Sequence, residues 1–156
     1  MSFIHVDPST KEKIHQVNDH IQKGKPAFIL VYMEGCGPCN ATRPEWEKLK
    51  NSITQIQPDI LITDIEQSLS NQIHRFPPPM GFPTMKFIHG PIIENYEDCK
   101  DIERKDRTFA SFLSWIDSKT TKPKPKQTLT KKTKKQKGGR RRKRRTRHSR
   151  RRSHKK

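Results

Sequence analysis

The sequence lacks an apolar run long enough to span a membrane. The longest uninterrupted run, Ala27–Met33, contains seven residues, whereas a membrane-spanning helix needs about 20. The N-terminal residues also lack the apolar region of a secretory signal peptide. These absences predict a protein that is not secreted and that works in the cytoplasm, the nucleus or, if viral, the virion interior. In such reducing surroundings a close pair of cysteines is more often catalytic, redox-sensing or metal-binding than a permanent cross-link.

Acidic residues are absent from the C-terminal part of the chain. The whole chain carries 34 Lys and Arg residues against 16 Asp and Glu residues, a formal net charge of +18. Residues 120–156 hold 20 of the basic residues and none of the acidic ones. Residues 1–119 therefore have 14 basic and 16 acidic groups, which is close to neutral. The composition divides the chain into a domain of ordinary charge and a strongly basic tail.

Hydrophobic residues are also scarce in this tail. Leu129 is the one hydrophobic residue between positions 120 and 156, and a segment that cannot bury apolar surface cannot offset the entropy lost on folding. We therefore predict that the tail is disordered. Residues 1–119 have the length of a single domain with one hydrophobic core.

The cations of the tail indicate a polyanion as its partner. The tail has no aromatic residue for base stacking and no apolar spacing for an amphipathic membrane helix. Two roles are left for the tail: it neutralises phosphates without reading their sequence, or it is an import signal. A solvated tail without a partner is the alternative. The residues predicted to bind nucleic acid or another polyanion are Arg140, Arg141, Arg142, Lys143, Arg144, Arg145, Arg150, Arg151 and Arg152.

The segment Met33–Asn40 contains the residues that we expect to be reactive, Cys36 and Cys39. The residues before it are rich in β-formers, and the residues after it place apolar side chains on one helical face. This strand-to-helix junction puts Cys36 at a helix N-terminus, where unpaired N–H groups and the helix dipole favour a thiolate. Because Cys39 follows one turn later, its sulfur can approach that of Cys36 within bonding distance. The spacing therefore predicts thiol–disulfide exchange.

The predicted elements alternate between strand and helix and end in a hairpin and a last helix. A capping box of Ser9 and Glu12 is predicted to start the first helix. Pro44 is expected to kink the second helix, which should end near residue 55. The predicted strands cover residues 3–6, 27–33, 60–65, 85–89 and 92–96, and the predicted helices begin near residues 9, 38, 68 and 106. This order predicts an α/β domain with a mixed sheet and helices on both faces.

Three local motifs stand in this order of elements. Cys36-Gly37-Pro38-Cys39 follows the second strand, Pro44 lies in the helix after it, and Phe82-Pro83-Thr84 precedes the hairpin. Together with the element order, these motifs resemble the thioredoxin family over residues 1–119. The resemblance implies a three-layer sandwich in which helices flank a central mixed sheet. It also implies a cis peptide bond before Pro83 and an enzyme that exchanges disulfides with no cofactor and no bound metal.

The resemblance implies a role for each motif. Cys36 is expected to be the exposed attacking thiol and Cys39 the buried resolving thiol, while Gly37 and Pro38 complete the active-site motif. The residues expected to flank the disulfide and to bind a substrate polypeptide through backbone groups are Phe82, Pro83 and Thr84. The implied activity is that of a protein-disulfide reductase. Its partners would be disulfide-containing proteins and an electron donor that the sequence does not identify.

Three positions depart from the family pattern. Gly35 stands where the family usually has Trp, which removes an aromatic wall of the substrate surface. Leu30 stands where a buried acid usually helps to move the proton of the resolving thiol, so the second step of exchange is expected to be slow. Asn40 stands where Lys or Arg is common. These departures keep open a second function, a redox-inactive thioredoxin-fold protein that binds partners and associates with nucleic acid.

Cys99 is the third cysteine of the chain. A zinc site at Cys36 and Cys39 would need two further ligands, and only Cys99 and scattered histidines are available for it. Because Cys99 lies in the polar stretch 97–101, we expect an exposed free thiol whose acidic neighbours disfavour the thiolate. A regulatory or intermolecular disulfide at Cys99 is the alternative.

Overall fold

The computed structural model describes residues 2–52 and 59–120. The strands are β1 (Ser2–Val6), β2 (Ala27–Tyr32), β3 (Leu61–Glu66), β4 (Thr84–His89) and β5 (Ile92–Asn95). The helices are α1 (Ile14–Gln22), α2 (Gly37–Glu47), α3 (Leu49–Ser52) and α4 (Phe109–Thr120). Within these two ranges, no helix has the length and apolar character needed to cross a membrane. The predicted disorder of the tail concerns residues beyond Thr120, outside the described residues, and stays a prediction.

A mixed five-stranded sheet forms the centre of the domain. Its strand order is β1-β3-β2-β4-β5, with β1, β3 and β2 parallel to one another and β4 antiparallel to both β2 and β5. Every residue of β2 and β3 is buried, as expected for strands covered on both faces. Buried residues of α1 pack on one face, and those of α2 and α4 pack on the other. This arrangement confirms the α/β fold class predicted from the sequence.

The two faces of the sheet carry separate apolar cores. On one face, Trp46 of α2 and Trp115 of α4 are fully buried and pack with Phe28 of β2. The ring centroids of Trp46 and Phe112 lie 5.0 Å apart in an edge-to-face arrangement. On the other face, α1 buries Val17 and its neighbours against the sheet. Full burial of one large side chain contributes roughly 1.5–3 kcal/mol, so the aromatic core holds α2 firmly against the sheet.

The start of the first helix differs from the prediction. The backbone N–H groups of Ser9 and Thr10 both donate to Asp7 Oδ1 at 2.9 Å. A 3₁₀ turn follows over Lys11–Lys13, and α1 begins after it. The predicted capping box of Ser9 and Glu12 is therefore wrong, because an aspartate turn two residues earlier takes up the donors.

The second helix is shorter than predicted. It continues through Pro44 but ends at Glu47, and α3 begins at Leu49. The hydrogen bond from the Lys48 N–H to the Pro44 carbonyl is long, at 3.4 Å, so the helical ladder is weak in this turn. The predicted continuation to residue 55 falls partly on residues 53–58, which lie outside the described residues.

Cys99 is buried, so the expectation of an exposed thiol is wrong. Its side chain lies in the aromatic core, directly after a 3₁₀ turn over Tyr96–Asp98. The neighbouring side chains at 97, 98 and 100 are exposed, because the turn directs them outward and the cysteine inward. Burial raises the pKa of the Cys99 thiol, and a hydrogen bond with Glu94 acts in the same direction.

A lysine between two carboxylates fastens the last turn of α4. Lys119 Nζ donates to Glu94 Oε2 at 2.6 Å and to Asp101 Oδ2 at 2.8 Å. Burial by itself lowers the pKa of Lys119, but the hydrogen bonds with Asp101 and Glu94 outweigh it and hold the pKa above its ordinary value. The ammonium therefore joins α4 to β5 and to the segment that follows β5.

We expect Lys119→Met to lower the free energy of unfolding by about 1–2 kcal/mol, because the partly buried Glu94 carboxylate and the exposed Asp101 carboxylate lose their shared donor. A raised lysine pKa stabilises the fold at every pH below the pKa of unfolded lysine, so the loss should be constant between about pH 6 and 9. Urea unfolding followed by tryptophan fluorescence measures this loss. An unchanged denaturation midpoint would contradict the assigned role of Lys119.

Candidate active site

The two cysteines lie at the junction between β2 and α2. Cys36 is the N-cap residue of α2, with extended backbone at φ −79° and ψ 114°, and Gly37 and Pro38 form the exposed first turn. Proline fits there because the first helical N–H groups have no partner within the helix. Gly35 has a φ of +75°, a conformation that glycine adopts readily and a bulky residue does not. The turn before the helix thus suits a glycine at the position where the family usually has tryptophan.

The sulfur atoms of the two cysteines are close together. Both thiols are free, and Cys39 Sγ lies 2.7 Å from Cys36 Sγ. The Cys39 N–H also donates to Cys36 Sγ at 3.4 Å, which is the bond that a helix N-terminus makes with an anion. Cys36 is partly exposed, whereas Cys39 is fully buried. A substrate can therefore reach the first sulfur, and the second is reached through the first.

Burial dominates the chemistry of Cys39. It raises the pKa of the Cys39 thiol to about 11, and the hydrogen bond with Cys36 acts in the same direction. A backbone hydrogen bond at Met33 and the positive charge of Arg107 oppose this shift in the pKa. Cys39 thus keeps its proton at neutral pH, and its S–H can donate to the Cys36 sulfur and stabilise a thiolate there.

The loop before β4 lies against Cys36. Phe82 and Pro83 are joined by a cis peptide bond, which confirms that expectation. The Phe82 carbonyl oxygen lies 3.8 Å from Cys36 Sγ. Pro83 is buried, Phe82 and Thr84 are partly exposed, and Thr84 Oγ1 donates to the Gly81 carbonyl at 2.5 Å. The fold therefore brings this loop beside the cysteine pair.

Arg107 joins the site from the loop before α4. Its backbone is left-handed, with a φ of 58°, which costs a non-glycine residue about 1–2 kcal/mol and often marks a functional position. The guanidinium donates to Glu97 Oε1 through Nε at 3.1 Å and Nη2 at 2.8 Å. Arg107 also lines a surface cavity with Pro38 and Thr42 of α2. The sequence contains no signal for this residue, because only the fold brings its loop close to α2.

The position six residues before Cys36 is apolar and buried. Leu30 lies in β2, and its register partner in β3 is Asp64, which is 1% exposed. Asp64 Oδ2 lies 2.7 Å from His5 Nδ1, whereas Oδ1 has no hydrogen-bond partner in the described part of the chain. Burial raises the pKa of Asp64, although His5 opposes the shift. The domain thus has a buried acid beside Leu30. This acid, Asp64, belongs to the neighbouring strand β3, and its hydrogen bond is with His5 of β1.

The basic residues predicted to bind a polyanion, from Arg140 to Arg145 and from Arg150 to Arg152, lie outside the described residues. Their role stays a prediction.

Comparison with known proteins supports the fold. A thioredoxin family model matches residues 8–113. Protein disulfide-isomerase tigA of Aspergillus niger is 27% identical over 96 residues, which cover 60% of this chain and 26% of that protein. This chain therefore spans about a quarter of the length of that curated relative.

Solved structures share the fold at low sequence identity. Human ERp44 matches with a TM-score of 0.58 at 14% identity, covering 77% of this chain and 33% of that one. The J-Trx1 fragment of ERdj5 matches with a TM-score of 0.52 at 14% identity, covering 76% of this chain and 51% of that one. Because the matched family model spans the cysteine pair, the loop at Pro83 and most of the sheet, the chain belongs to the thioredoxin family.

Proposed function

We propose that the chain is a protein-disulfide reductase that uses Cys36 and Cys39. One observation carries the proposal: two free thiols lie 2.7 Å apart at the start of α2, with the Phe82 carbonyl beside the exposed one. Membership of the thioredoxin family and similarity to a protein disulfide-isomerase support thiol–disulfide oxidoreductase chemistry.

Reduction begins when the Cys36 thiolate attacks one sulfur of a substrate disulfide. The substrate S–S bond breaks, a mixed disulfide forms at Cys36, and the other substrate sulfur leaves as a thiolate that takes up a proton. The N-terminus of α2 and the Cys39 N–H stabilise the attacking thiolate. The Phe82 backbone, whose carbonyl lies beside Cys36, would bond with the main chain of an extended substrate.

Release of the substrate requires the Cys39 thiolate. Cys39 loses its proton and attacks Cys36 Sγ, which breaks the mixed disulfide and frees the second substrate thiol. Two electrons have then passed to the substrate, and an external dithiol must reduce the Cys36–Cys39 disulfide before the next turnover. Because burial holds the pKa of Cys39 at about 11, deprotonation of Cys39 limits this step, and the charge of Arg107 assists it.

We further propose that the tail tethers the reductase to nucleic acid or another polyanion. The support is the composition of residues 120–156, which include 20 basic residues and no acidic ones. Phosphate contacts of this kind carry no sequence preference. They would concentrate the domain where nucleic acid is abundant, such as a nucleus or a virion interior.

Substitution of each cysteine tests the reductase. Cys36→Ser should abolish reduction of insulin, because the attacking sulfur is gone. Cys39→Ser should accumulate a mixed disulfide, because the releasing thiol is gone. Insulin turbidity measures the first result, and non-reducing gels measure the second. Cys99→Ala is the matched control, since Cys99 is buried in the aromatic core, and it should keep the activity.

A different result with the unmodified chain would overturn the proposal. If the fully reduced protein does not reduce insulin, the redox-inactive binding protein becomes the better function. Gly35 and Leu30 are the residues that favour that alternative.

Arg107→Met should slow release of the mixed disulfide about threefold near neutral pH, the size expected for one partly exposed charge. A nearby cation lowers a thiol pKa, so its removal raises the pKa of Cys39 and shifts the pH profile of release upward. Single-turnover decay of the mixed disulfide at several pH values measures this shift. Arg104→Met, which removes an exposed cation of the same segment, should leave the profile unchanged. Identical profiles for Arg107→Met and the unmodified chain would exclude Arg107 from the site.

Replacement of the nine predicted polyanion-binding residues by Gln should weaken retention on immobilised DNA and leave insulin reduction unchanged. Each phosphate contact adds about 0.9 to the slope of log affinity against log salt, so the variant should show a shallower slope. Retention on immobilised DNA at several salt concentrations measures this slope. Equal retention of the variant and the unmodified chain would disprove the tether.

A further inference from the structure

Lys86 is a buried cation on the strand that follows the loop at Pro83. It lies in β4 with 8% of its surface exposed, and its register partner in β5 is Asn95. Lys86 Nζ donates to Asn95 Oδ1 at 2.6 Å and lies 5.5 Å from the centroid of the Phe76 ring. Among the described residues, Lys86 forms no ion pair with a carboxylate. A lysine ammonium has three N–H donors, so two remain for another partner.

Lys119 shows the contrasting case of a lysine that is neutralised within the domain. Two carboxylates contact Lys119 and hold its pKa above the ordinary value. Lys86, by contrast, has a neutral amide, that of Asn95, as its hydrogen-bond partner. Burial lowers the pKa of Lys86, and the negative charge of the more distant Asp98 opposes this shift. A buried charge without a direct counter-ion is costly, so an anion in contact with Lys86 would stabilise it.

Lys86 lines a surface groove that adjoins the active-site loop. The groove has a volume of about 210 Å³, and its lining includes Met80, Pro83 and Lys86. Pro83 directly follows Phe82, whose carbonyl oxygen is 3.8 Å from Cys36 Sγ. A substrate polypeptide joined to Cys36 through its own cysteine therefore has this groove beside it.

Met80 gives the groove an apolar edge. Its side chain is fully exposed and follows three consecutive prolines at 77–79, which restrict the backbone before it. A flexible methionine can contact apolar substrate side chains of different shapes. The groove thus combines an adaptable apolar contact with a buried cation.

Two acidic residues of the groove accept hydrogen bonds, one from an arginine and the other from a neutral amide. Glu97 Oε1 accepts from Arg107 Nη2 at 2.8 Å, and Asp98 Oδ2 accepts from Asn95 Nδ2 at 2.6 Å. Asn95 therefore stands between Asp98 and Lys86, with its amide nitrogen toward the carboxylate and its amide oxygen toward the ammonium. The two remaining donors of Lys86 are available to a ligand that carries a carboxylate.

The geometry points to Lys86 as a residue that selects substrates by binding an Asp or Glu carboxylate close to the reacting cysteine. This inference rests on the proposed reductase function and names the class of polypeptide that the site favours. An extended chain advances roughly 3.3 Å per residue, so a carboxylate two to four residues from the reacting cysteine lies roughly 7–13 Å from it along the substrate.

Disulfide peptides that differ at one position test this selectivity. Two series carry Glu, Gln or Lys, one series three residues before the reacting cysteine and the other three residues after it. The kcat/KM for reduction by the full chain is measured for each peptide. In at least one series, the Glu peptide should exceed the Gln peptide about fivefold, mainly through KM, as expected for a partly screened charge-assisted hydrogen bond. The Lys peptide should be the poorest substrate.

Substitutions at Lys86 connect the selectivity to this residue. Lys86→Met should remove the preference for Glu while the Gln peptide is reduced at the unmodified rate, and Lys86→Arg should restore the preference. Lys119→Met is the matched control, because it removes a partly buried ammonium that does not line the groove, and it should keep the preference. If thermal unfolding shows that Lys86→Met does not fold, Lys86→Gln, which can still bond to Asn95, replaces it.

Two results would overturn the inference and leave the reductase intact. One is reduction of the Gln peptides by the unmodified chain without a preference for Glu in either series. The other is an equal loss on all peptides in Lys86→Met, which is the behaviour of a lysine that only supports the fold. If the unmodified chain reduces neither the peptides nor insulin, the proposed reductase fails, and the selectivity of Lys86 fails with it.

Discussion

The hydrogen bond between the two thiols at the start of α2 is the interaction on which the rest of the site depends. It forms because Cys36 caps the helix while Cys39 lies one turn inside it, so their sulfurs are 2.7 Å apart. Trp46, on the same helix, is fixed in the aromatic core. The sheet and the core thereby fix the positions of two sulfur atoms, of which one is partly exposed and the other is buried.

Burial and charge act in opposite directions at this pair. The apolar surroundings keep Cys39 protonated, which lets it stabilise the Cys36 sulfur but makes it a poor nucleophile. Arg107, held in a left-handed loop, supplies a positive charge that favours the Cys39 thiolate. The site therefore combines burial, which favours the Cys39 thiol, with a nearby positive charge, which favours its thiolate.

Much of the fold was predictable because its signals are local. The strand before Cys36 has a continuous apolar run, Pro38 suits a first helical turn, and the hairpin turn contains Gly90 and Pro91. The errors arose where two local signals compete. The capping box predicted at Ser9 does not form, because Asp7 accepts the backbone hydrogen bonds of Ser9 and Thr10. Cys99 has polar neighbours in sequence, but the turn before it directs its side chain inward.

The sequence by itself determined the strand–cysteine–helix junction, the order of the elements and the separation of a near-neutral domain from a basic tail. These properties follow from periodicity, capping and composition, which act over a few residues or over whole segments. Only the tertiary structure decided which distant residues lie near the cysteines. The Phe82 carbonyl and the charge of Arg107 come from loops far from Cys36 in sequence, and the burial that raises the pKa of Cys39 exists only once the sheet has formed.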